Sequence, residues 1–477
     1  MALRAAFDVS VESLERSSDP VDQAAAAAFG LLSLPDGPDI DAAAAAQLLQ
    51  QPEAATQVLL ERLVDTHLVE SPRPGRYRFH DLVRLYAREQ VARRHPVQEQ
   101  RDALTRLVAF YTATAWHTTA LLRPGDRRRA AAARRWTHGG RTFASVPEAL
   151  DWLETERSNL LAAITQAATA PMMPTELAGQ LALALHAFFS ARSYWEDGVQ
   201  ANQAVLQRAR STGDRDGEAH AHNELGVAYD YLGRYQQAID SHQASLTIRR
   251  ELGDRGGQAA SMNNLGRVYE HLGRYQEAIA SLQEGLAINC SLGHRRGQAS
   301  NLGNLGHIYD RMGRYQEALT SLQESLTAFR ELGEQLGQAA ILSNLGRVYE
   351  RMGRYQEAIA SLEECLAMSR SFGDRQTQAE GRNNLGRVYR RLGRYQEAIN
   401  CHQDSLTLSR KVKDRHIQVE ALRDLGDTLR ESGRAQQARA TWQEALSICE
   451  ALRIPEAAEI RDRLATLPSD ANQTSSS

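Results

Sequence analysis

Basic and amide side chains recur in this sequence at spacings that would place them on one face of successive helices. In one segment, Asn264, Arg267 and His271 are separated by three and four residues, and residues so spaced are neighbours on a helix surface. An arginine there can bind a carboxylate through two parallel hydrogen bonds, so the pattern suits recognition of an acidic group. At intervals of 40 residues the pattern returns as Asn304, His307, Arg311, then Asn344, Arg347, Arg351, then Asn384, Arg387, Arg391.

These twelve residues, named the stripe below, have a second interpretation. The same segments contain Glu270, Asp310 and Glu350, whose charges could balance the basic residues on a solvated surface that binds nothing. Near-identical copies also make any surface look regular, because duplication copies neutral positions together with functional ones. The stripe is therefore either a partner-binding groove or a solvated, charge-balanced face, and we expect the groove.

The motifs of common enzymes are not found. The sequence has no G-x-S-x-G or H-E-x-x-H motif, and its only lysines, Lys411 and Lys413, do not stand in the G-x-x-x-x-G-K-[ST] loop that binds phosphate. No C-x-x-C pair occurs, which argues against a metal or redox site. We expect no catalytic activity, no metal and no cofactor. Four reduced thiols are expected at Cys290, Cys365, Cys401 and Cys449.

Composition and charge limit the partners. The 477 residues carry a formal net charge of only -3, so no global field favours nucleic acid or an anionic membrane. The longest apolar run, Ala24–Leu34, is shorter than the 18 or so residues that a membrane span needs, and the N-terminus does not read as a secretory signal. We expect a cytoplasmic protein without membrane contact.

The arginines within 127–135 predict an exposed connector, with contact to a phosphate backbone as the alternative.

A 40-residue period organises the second half of the chain. Five residue types recur at intervals of 40 positions, and these columns begin at Leu225, Gly226, Tyr229, Gly233 and Ala238. In the last copy, Leu429 replaces the tyrosine. A mid-helix glycine costs about 1 kcal/mol, so its recurrence predicts close approach of a second helix, on which Ala238 is the small partner. Gly233 suits the left-handed position that ends a helix. Each period therefore predicts two antiparallel helices.

The Leu-Gly-x-x-Tyr and Ala columns resemble the tetratricopeptide-repeat family, although the period is 40 residues and the family's closing proline is missing. The resemblance implies an all-α tetratricopeptide superhelix over 173–467, with one degenerate copy at 176–215, six regular copies to about 455 and a closing helix. Residues 468–477 are predicted to be a disordered tail. In that family the first helices line the concave surface, and an asparagine before Leu-Gly bonds the backbone of a bound peptide. The stripe is accordingly expected to bind a protein or peptide, with an acidic or C-terminal segment as the candidate.

The N-terminal part has a different pattern. Residues 21–66 predict three helices, 67–70 and 76–79 predict a β-hairpin around a Pro/Gly turn, and 81–94 predict a further helix. This order suggests a winged-helix-like unit over 1–95, followed by a helical connector over 96–172.

Two segments carry a second resemblance, the first running from Arg78 to Ala87 and the second from Ala149 to Leu160. They are similar to the winged-helix end and the connector of bacterial NB-ARC (STAND-class) regulators. In that family an ATPase core precedes these parts, and we expect this chain to lack it. The family's His-Asp pair senses bound ADP and matches His80 and Asp81. We expect a vestigial role here, with Asp81 capping the next helix. The alternative is nucleotide sensing with a separately encoded ATPase core.

The expected function is a protein-protein interaction module of a signalling or transcriptional regulator, with the partner in the concave repeat groove. Two alternatives stay open from the sequence. The first is a DNA-binding regulator that uses the N-terminal winged helix, and the second is the sensor half of a split, nucleotide-switched STAND complex.

Overall fold

The chain divides into two compact units, residues 1–221 and 222–477. The computed structural model describes residues 2–122, 139–412, 414–452, 454 and 456–467. The predicted tail and the arginines of 127–135 lie outside these ranges. The predicted fold class, a helical superhelix of repeated hairpins, is confirmed. The limits placed at 95 and 172 stay predictions.

The first unit is helical apart from one small sheet. Its elements are α1 (Ala2–Arg16), α2 (Pro20–Leu32), β1 (Ile40–Asp41), α3 (Ala42–Leu49), α4 (Glu53–Asp65), β2 (Glu70–Arg73), β3 (Arg76–Arg78), α5 (Asp81–Arg94), α6 (Val97–Leu122), α7 (Val146–Thr169), α8 (Thr175–Arg192) and α9 (Trp195–Thr212). Strand β3 lies between β1 and β2 and pairs antiparallel with both. The three helices predicted in 21–66 are present, whereas α1 was not predicted.

Aspartate side chains cap the N-termini of helices α2 and α3. Asp19 accepts a hydrogen bond from the Val21 amide at 2.9 Å, and Asp41 accepts one from the Ala44 amide at 2.7 Å. The capping role predicted for Asp81 is wrong. Helix α5 begins at Asp81 itself, and its N-cap residue His80 makes no side-chain capping bond. Asp81 instead lies in the first turn, where a carboxylate is favourable to the helix dipole.

The hairpin is displaced from its predicted position. Residues 67–70 were expected to form the first strand, but β2 begins only at Glu70. The preceding residues close helix α4, because His67 takes a positive φ of 57° and the amides of Leu68 and Val69 bond the Leu63 carbonyl at 3.0 and 3.2 Å. Backbone that caps a helix in this way cannot also extend as a strand.

Charged groups join α7 to the hairpin of the first unit. Arg76 on β3 pairs with Glu156 on α7 and with Asp39 in the loop before β1. Asn159 donates to Asp39 at 2.9 Å and to Glu156 at 2.8 Å. Glu156 and Asn159 are 1% and 3% exposed. These motif residues of the connector therefore have a structural role, since a carboxylate this buried needs partners.

Helix hairpins follow one another through the second unit. The first helix, α10 (Arg215–Tyr231), crosses the boundary between the two units. The helices that follow it are α11 (Tyr235–Glu251), α12 (Arg255–His271), α13 (Tyr275–Ser291), α14 (Arg295–Arg311), α15 (Tyr315–Glu331), α16 (Gln335–Arg351), α17 (Tyr355–Phe372), α18 (Arg375–Arg391), α19 (Tyr395–Val412), α20 (Arg415–Glu431) and α21 (Ala435–Leu452). A single helix, α22 (Glu456–Ala465), comes after the last hairpin. The pairs from α10/α11 to α20/α21 are numbered repeats 1 to 6. No helix in the described ranges combines the length and apolar character needed to cross a bilayer.

Glycines set both the turn and the spacing in each hairpin. Gly233 has φ +72° and its equivalents are similar, as predicted for the end of the first helix. The mid-helix glycines permit close packing, because a Cβ on Gly306 would lie 2.6 Å from Leu322 Cγ. The predicted small partner, the alanine column, contributes its backbone here, since the Ala318 carbonyl would be 3.2 Å from that Cβ.

Replacing Gly306 with alanine should destabilise the array. The added methyl group collides with Leu322, and overpacking of this kind costs about 1–3 kcal/mol, while the gain in helix propensity is about 1 kcal/mol, so the net loss is up to about 2 kcal/mol. Urea unfolding followed by circular dichroism measures the change. Gly256→Ala is the matched control, because its new Cβ would lie 3.7 Å from Asp254 Oδ1, an ordinary contact. Equal midpoints for Gly306→Ala and the wild type would contradict the close-packing role.

Candidate partner-binding groove

The first helices of the repeats face the inside of the superhelical turn. Tyr235 Oη and His416 Nε2 are 2.6 Å apart, and the rings of His271 and His416 stack with centroids separated by 4.7 Å. Arg311 donates to Glu456 at 3.0 Å and lies 3.6 Å from Glu420. These contacts, named the seam, join repeats 1–3 to repeat 6 and α22. The seam residues are Tyr235, His271, Arg311, His416, Glu420 and Glu456. The stripe contributes two of them and so lies on the inner side.

Most basic stripe residues already hold a carboxylate of the preceding repeat. Asp310 at the end of α14 is completely buried, and Arg347 Nε of α16 donates to its Oδ2 at 2.7 Å. Arg351 lies 3.2 Å from Asp310 Oδ1 and also donates to the Asp310 carbonyl at 2.8 Å. One buried acid is thus neutralised by two arginines, which lie 37 and 41 residues further along the chain.

The same arrangement is present at two other interfaces. Asp230 accepts from Arg267 and lies next to the His271 ring, each at 2.9 Å, and Glu350 accepts from Arg387 at 2.8 Å and from Arg391 at 3.0 Å. Asp230 and Glu350 are each only 2% exposed as side chains. Glu270 Oε1 lies 3.9 Å from Arg311 Nε, which is the corresponding pair at the interface between repeats 2 and 3. We name the carboxylates of Asp230, Glu270, Asp310 and Glu350, with the basic residues that pair with them, the ion ladder.

The charges of the ladder reverse at the last interface between repeats. Arg390 stands in the column of the acids, and Asp427 and Glu431 stand in the columns of the cations. Arg390 Nη1 lies 3.1 Å from Asp427 and 3.5 Å from Glu431. At this interface the earlier repeat supplies the cation and the later repeat supplies the acids. The interface therefore requires that the two charges neutralise each other, and either repeat can carry the negative one.

Burial and pairing shift the pKa values of the ladder. Burial alone would raise the pKa of Asp230, but the charges of His271 and Arg267 outweigh it and hold that pKa well below its ordinary value. Burial would lower the pKa of His271, yet the neighbouring Asp230 carboxylate raises it to about 9. At neutral pH this pair is therefore charged on both sides.

Asparagines form a second row of contacts between repeats. Asn264 donates to Asn223 at 3.1 Å, Asn304 to Asn263 at 2.9 Å, and Asn384 to the Ser343 hydroxyl at 3.1 Å. Each acceptor residue lies 41 positions earlier in the chain.

Both rows are interrupted at repeats 3 and 4. The residue 41 positions before Asn344 is Gly303, which has no side chain, and the Asn344 amide makes no hydrogen bond within the described part of the chain. His307 replaces the arginine of the ladder, and its buried Nε2 lacks a partner there, as does the buried Arg347 Nη2. Burial and the charges of Arg347 and Arg311 hold the pKa of His307 well below its ordinary value, so the imidazole is neutral at pH 7.

The other predicted site residues lie in the first unit. His80 and Asp81 are exposed at the start of α5 and make no side-chain hydrogen bond within the described ranges. The four cysteines are free, and Cys290 is the exposed one. The described residues include no group of three or more His, Cys, Asp or Glu side chains placed to hold a metal ion.

Sequence reasoning missed the pairing between repeats. It treated Glu270, Asp310 and Glu350 as a balance on a solvated face, whereas these acids are buried. The signal was present as opposite charges at fixed offsets of 37 and 41 residues, including the reversal at Arg390 and Asp427. No comparable signal marked the seam, because its partners are up to 181 residues apart.

Comparison with known proteins agrees with the repeat architecture. A tetratricopeptide-repeat family model matches residues 231–291, 297–371 and 377–451, and a second one matches 344–401. The chain thus carries tetratricopeptide repeats. It is 40% identical over 242 residues to the regulatory protein AfsR of Streptomyces griseus and 39% identical over 247 residues to that of Streptomyces coelicolor. Each match covers 50% of this chain, but only 24% and 23% of the relatives' own length.

Two solved structures share the fold at low sequence identity. One is a signal transduction ATPase with numerous domains (STAND) with a tetratricopeptide-repeat sensor, from Pyrococcus horikoshii. It aligns over 95% of this chain and 60% of its own, with 18% identity and a TM-score of 0.58. The other is a Rap protein in complex with competence and sporulation factor, which aligns over 80% of this chain and 94% of its own, with 13% identity and a TM-score of 0.56.

Removing a ladder carboxylate should destabilise the array strongly. Asp310→Asn leaves Arg347 buried without its counter-charge, and breaking a buried pair in this way costs about 3–5 kcal/mol. Thermal and urea unfolding of the full chain measure the loss. The control is Glu317→Gln, which removes an exposed ion pair with Arg314 and should leave the midpoint unchanged. A midpoint for Asp310→Asn equal to that of the control would refute the ladder as a source of stability.

Proposed function

We propose that the chain is a regulatory protein-interaction module that receives a partner peptide or protein on the inner face of its repeats. The observation that carries this proposal is the interruption of both inter-repeat rows at repeats 3 and 4. There Asn344, the His307 Nε2 and the Arg347 Nη2 have no hydrogen-bond partner in the described ranges. The two nitrogens of His307 and Arg347 are buried and cost free energy unless they are satisfied, whereas Asn344 is partly exposed. A partner bound beside them would supply hydrogen bonds to all three groups.

The chemistry of this face suits a polypeptide. An asparagine amide both donates and accepts, as does a neutral imidazole, so Asn344 and His307 match the alternating groups of a peptide backbone. Arg311 and Arg391 retain 21% and 54% exposure as side chains and add charge for an acidic group. Arg267, Arg351 and Arg387 are used between repeats, so we propose that they position the face and do not contact the partner.

The comparisons support a regulatory role. The two curated relatives are regulatory proteins, and the Rap structure holds competence and sporulation factor, which is consistent with ligand binding by this fold. We also propose a cytoplasmic location, which the four free cysteines support, since unpaired thiols suit a reducing compartment.

His307→Ala together with Asn344→Ala should abolish partner capture without unfolding the protein. Within the described residues, the His307 Nε2 and the Asn344 amide make no hydrogen bond to the rest of the array. The circular dichroism spectrum and the unfolding midpoint of the double variant should therefore stay near those of the wild type. The measurement is affinity capture with the tagged full chain from the native cell, followed by mass spectrometry. Asn400→Ala on the outer helix α19 is the control and should retain every captured protein. Retention of the same proteins by the double variant would count against the inner face.

A second candidate function concerns the first unit, which we propose to be a winged-helix unit that docks a nucleotide-binding core outside residues 1–477. The start of α5 supports it, because Leu82 and Leu85 are 49% and 61% exposed next to the exposed His80 and Asp81. Exposed apolar side chains clustered with polar ones are typical of an interaction surface. The chain would then be the sensor part of a nucleotide-switched complex, as the resemblance to STAND-class regulators implies.

Leu85→Glu should weaken this docking about tenfold or more, because it buries a charge in an apolar contact. The measurement is co-purification of the full chain with a phosphate-loop ATPase encoded beside its gene, with and without ADP. Val97→Glu is the matched control, since Val97 is equally exposed at 65% on the neighbouring helix α6. If Leu85→Glu and Val97→Glu co-purify alike, α5 is not the docking surface.

A further inference from the structure

The last helix of the array buries little apolar side-chain surface of its own. Helix α22 has one fully buried apolar side chain, Ile460, which is 0% exposed. Arg463 on the same helix donates to Asp427 of repeat 6 at 2.8 Å and so extends the pairing between repeats by one step. Burial of one isoleucine contributes about 1.5–3 kcal/mol, and an ion pair that is partly exposed adds little. Helix α22 can therefore separate from the array at a modest cost.

One residue of α22 reaches across the superhelical turn. Glu456 Oε1 accepts a hydrogen bond from Arg311 Nη2 at 3.0 Å, although the two residues are 145 positions apart. The opposite edge of the same guanidinium faces Glu420 of repeat 6, at 3.6 Å from Nη1. A stripe arginine that was expected to bind an acidic partner thus binds a carboxylate of its own chain.

Glu456 is an incomplete ligand for this site. Its second oxygen, Oε2, is buried and has no hydrogen-bond partner among the described residues. A carboxylate gains most from an arginine when both of its oxygens are bonded. The side chains of Arg311 and Glu456 are 21% and 19% exposed, so water and another ligand can reach the contact. A carboxylate free to orient itself would therefore compete with Glu456 for Arg311.

We propose that Arg311 is a carboxylate-binding site at which an acidic group of the partner polypeptide displaces Glu456 and releases α22 from repeat 3. Glu456 then acts as an internal substitute for the ligand, and its contact with Arg311 is closed only while no partner is bound. The inference rests on the proposed function of the inner face and specifies which group of the partner is recognised. The carboxylate belongs either to an acidic side chain or to the C-terminus of the partner.

Two labelled peptides distinguish these sources in a fluorescence anisotropy titration of the full chain. One is rich in glutamate and amidated at its C-terminus, and the other is neutral with a free C-terminal carboxylate. Glu456→Gln removes the internal competitor with little change of shape, and should bind one of the peptides about fivefold more tightly than the wild type does, as expected for loss of a partly exposed charge contact. Glu459→Gln on the same helix is the control, since Glu459 pairs with Arg463 and should leave the affinity unchanged.

The gain in peptide affinity caused by Glu456→Gln should depend on Arg311. Adding Arg311→Gln to Glu456→Gln should remove the gain in affinity, while circular dichroism confirms that the chain stays folded. Hydrogen exchange provides a second readout on the unaltered chain, because the bound peptide should lower the protection of the amides in 456–465. Equal affinities of the wild type and Glu456→Gln for both peptides would overturn the proposal. A gain that persists without Arg311 would overturn it as well.

The proposed function and this inference can fail separately. If capture of cellular partners depends on His307 and Asn344 while Glu456→Gln changes no peptide affinity, only the displacement of Glu456 is refuted. If Glu456→Gln binds the peptides more tightly while capture is indifferent to His307 and Asn344, the carboxylate site stands and the proposed contacts of His307 and Asn344 with the partner are refuted.

Discussion

A carboxylate buried between two helix hairpins can stay charged only if the neighbouring hairpin supplies its counter-charges. Asp310 illustrates this, because it is completely buried and its two partners, Arg347 and Arg351, belong to the following repeat. Transfer of an isolated charge from water to such a place would cost several kcal/mol. Each repeat is therefore compatible only with a correctly placed neighbour, and the ladder sets the alignment between repeats in addition to the apolar core. The reversed charges at Arg390 and Asp427 show that each interface requires a pair of opposite charges, whichever repeat supplies the acid.

The glycine and leucine columns act within a repeat, whereas the ladder acts between repeats. Close approach at Gly306 fixes the distance between the two helices of a hairpin, and the cations then fix the position of one hairpin on the next. Because both devices recur every 40 residues, the interior of the array is nearly uniform. Function is then expected where the uniformity is broken, and repeats 3 and 4 are such a place. Gly303 removes the acceptor for Asn344, and His307 brings a neutral ring into a row of arginines.

A regular array also determines where its ends meet. Repeats related by a constant rotation return to the same side after one turn, so repeat 6 and α22 come close to repeats 1 to 3. The contacts made there are specific to single repeats, such as the stacked rings of His271 and His416 and the pair of Arg311 with Glu456. They lie on the inner side of the array, and they are not part of the repeating pattern.

The sequence by itself determined the elements of this protein. The 40-residue period predicted the helix pairs and Gly233 predicted a left-handed turn, because both depend on residues close together in the chain. Where a local cue competed with another, as at His67, the strand was placed three residues too early. The stripe was found as a pattern, and its use by a partner remains a prediction.

Only the tertiary structure decided what those stripe residues touch. In the sequence, Arg347 and Arg387 look the same as arginines that are available to bind a ligand. In the structure, both form ion pairs with acids of the preceding repeat. The seam could not be predicted at all, since Tyr235 and His416 are brought together by the summed rotation of five intervening hairpin interfaces. Helical periodicity specifies which side chains share a face, but the partner across that face depends on how the hairpins stack in three dimensions.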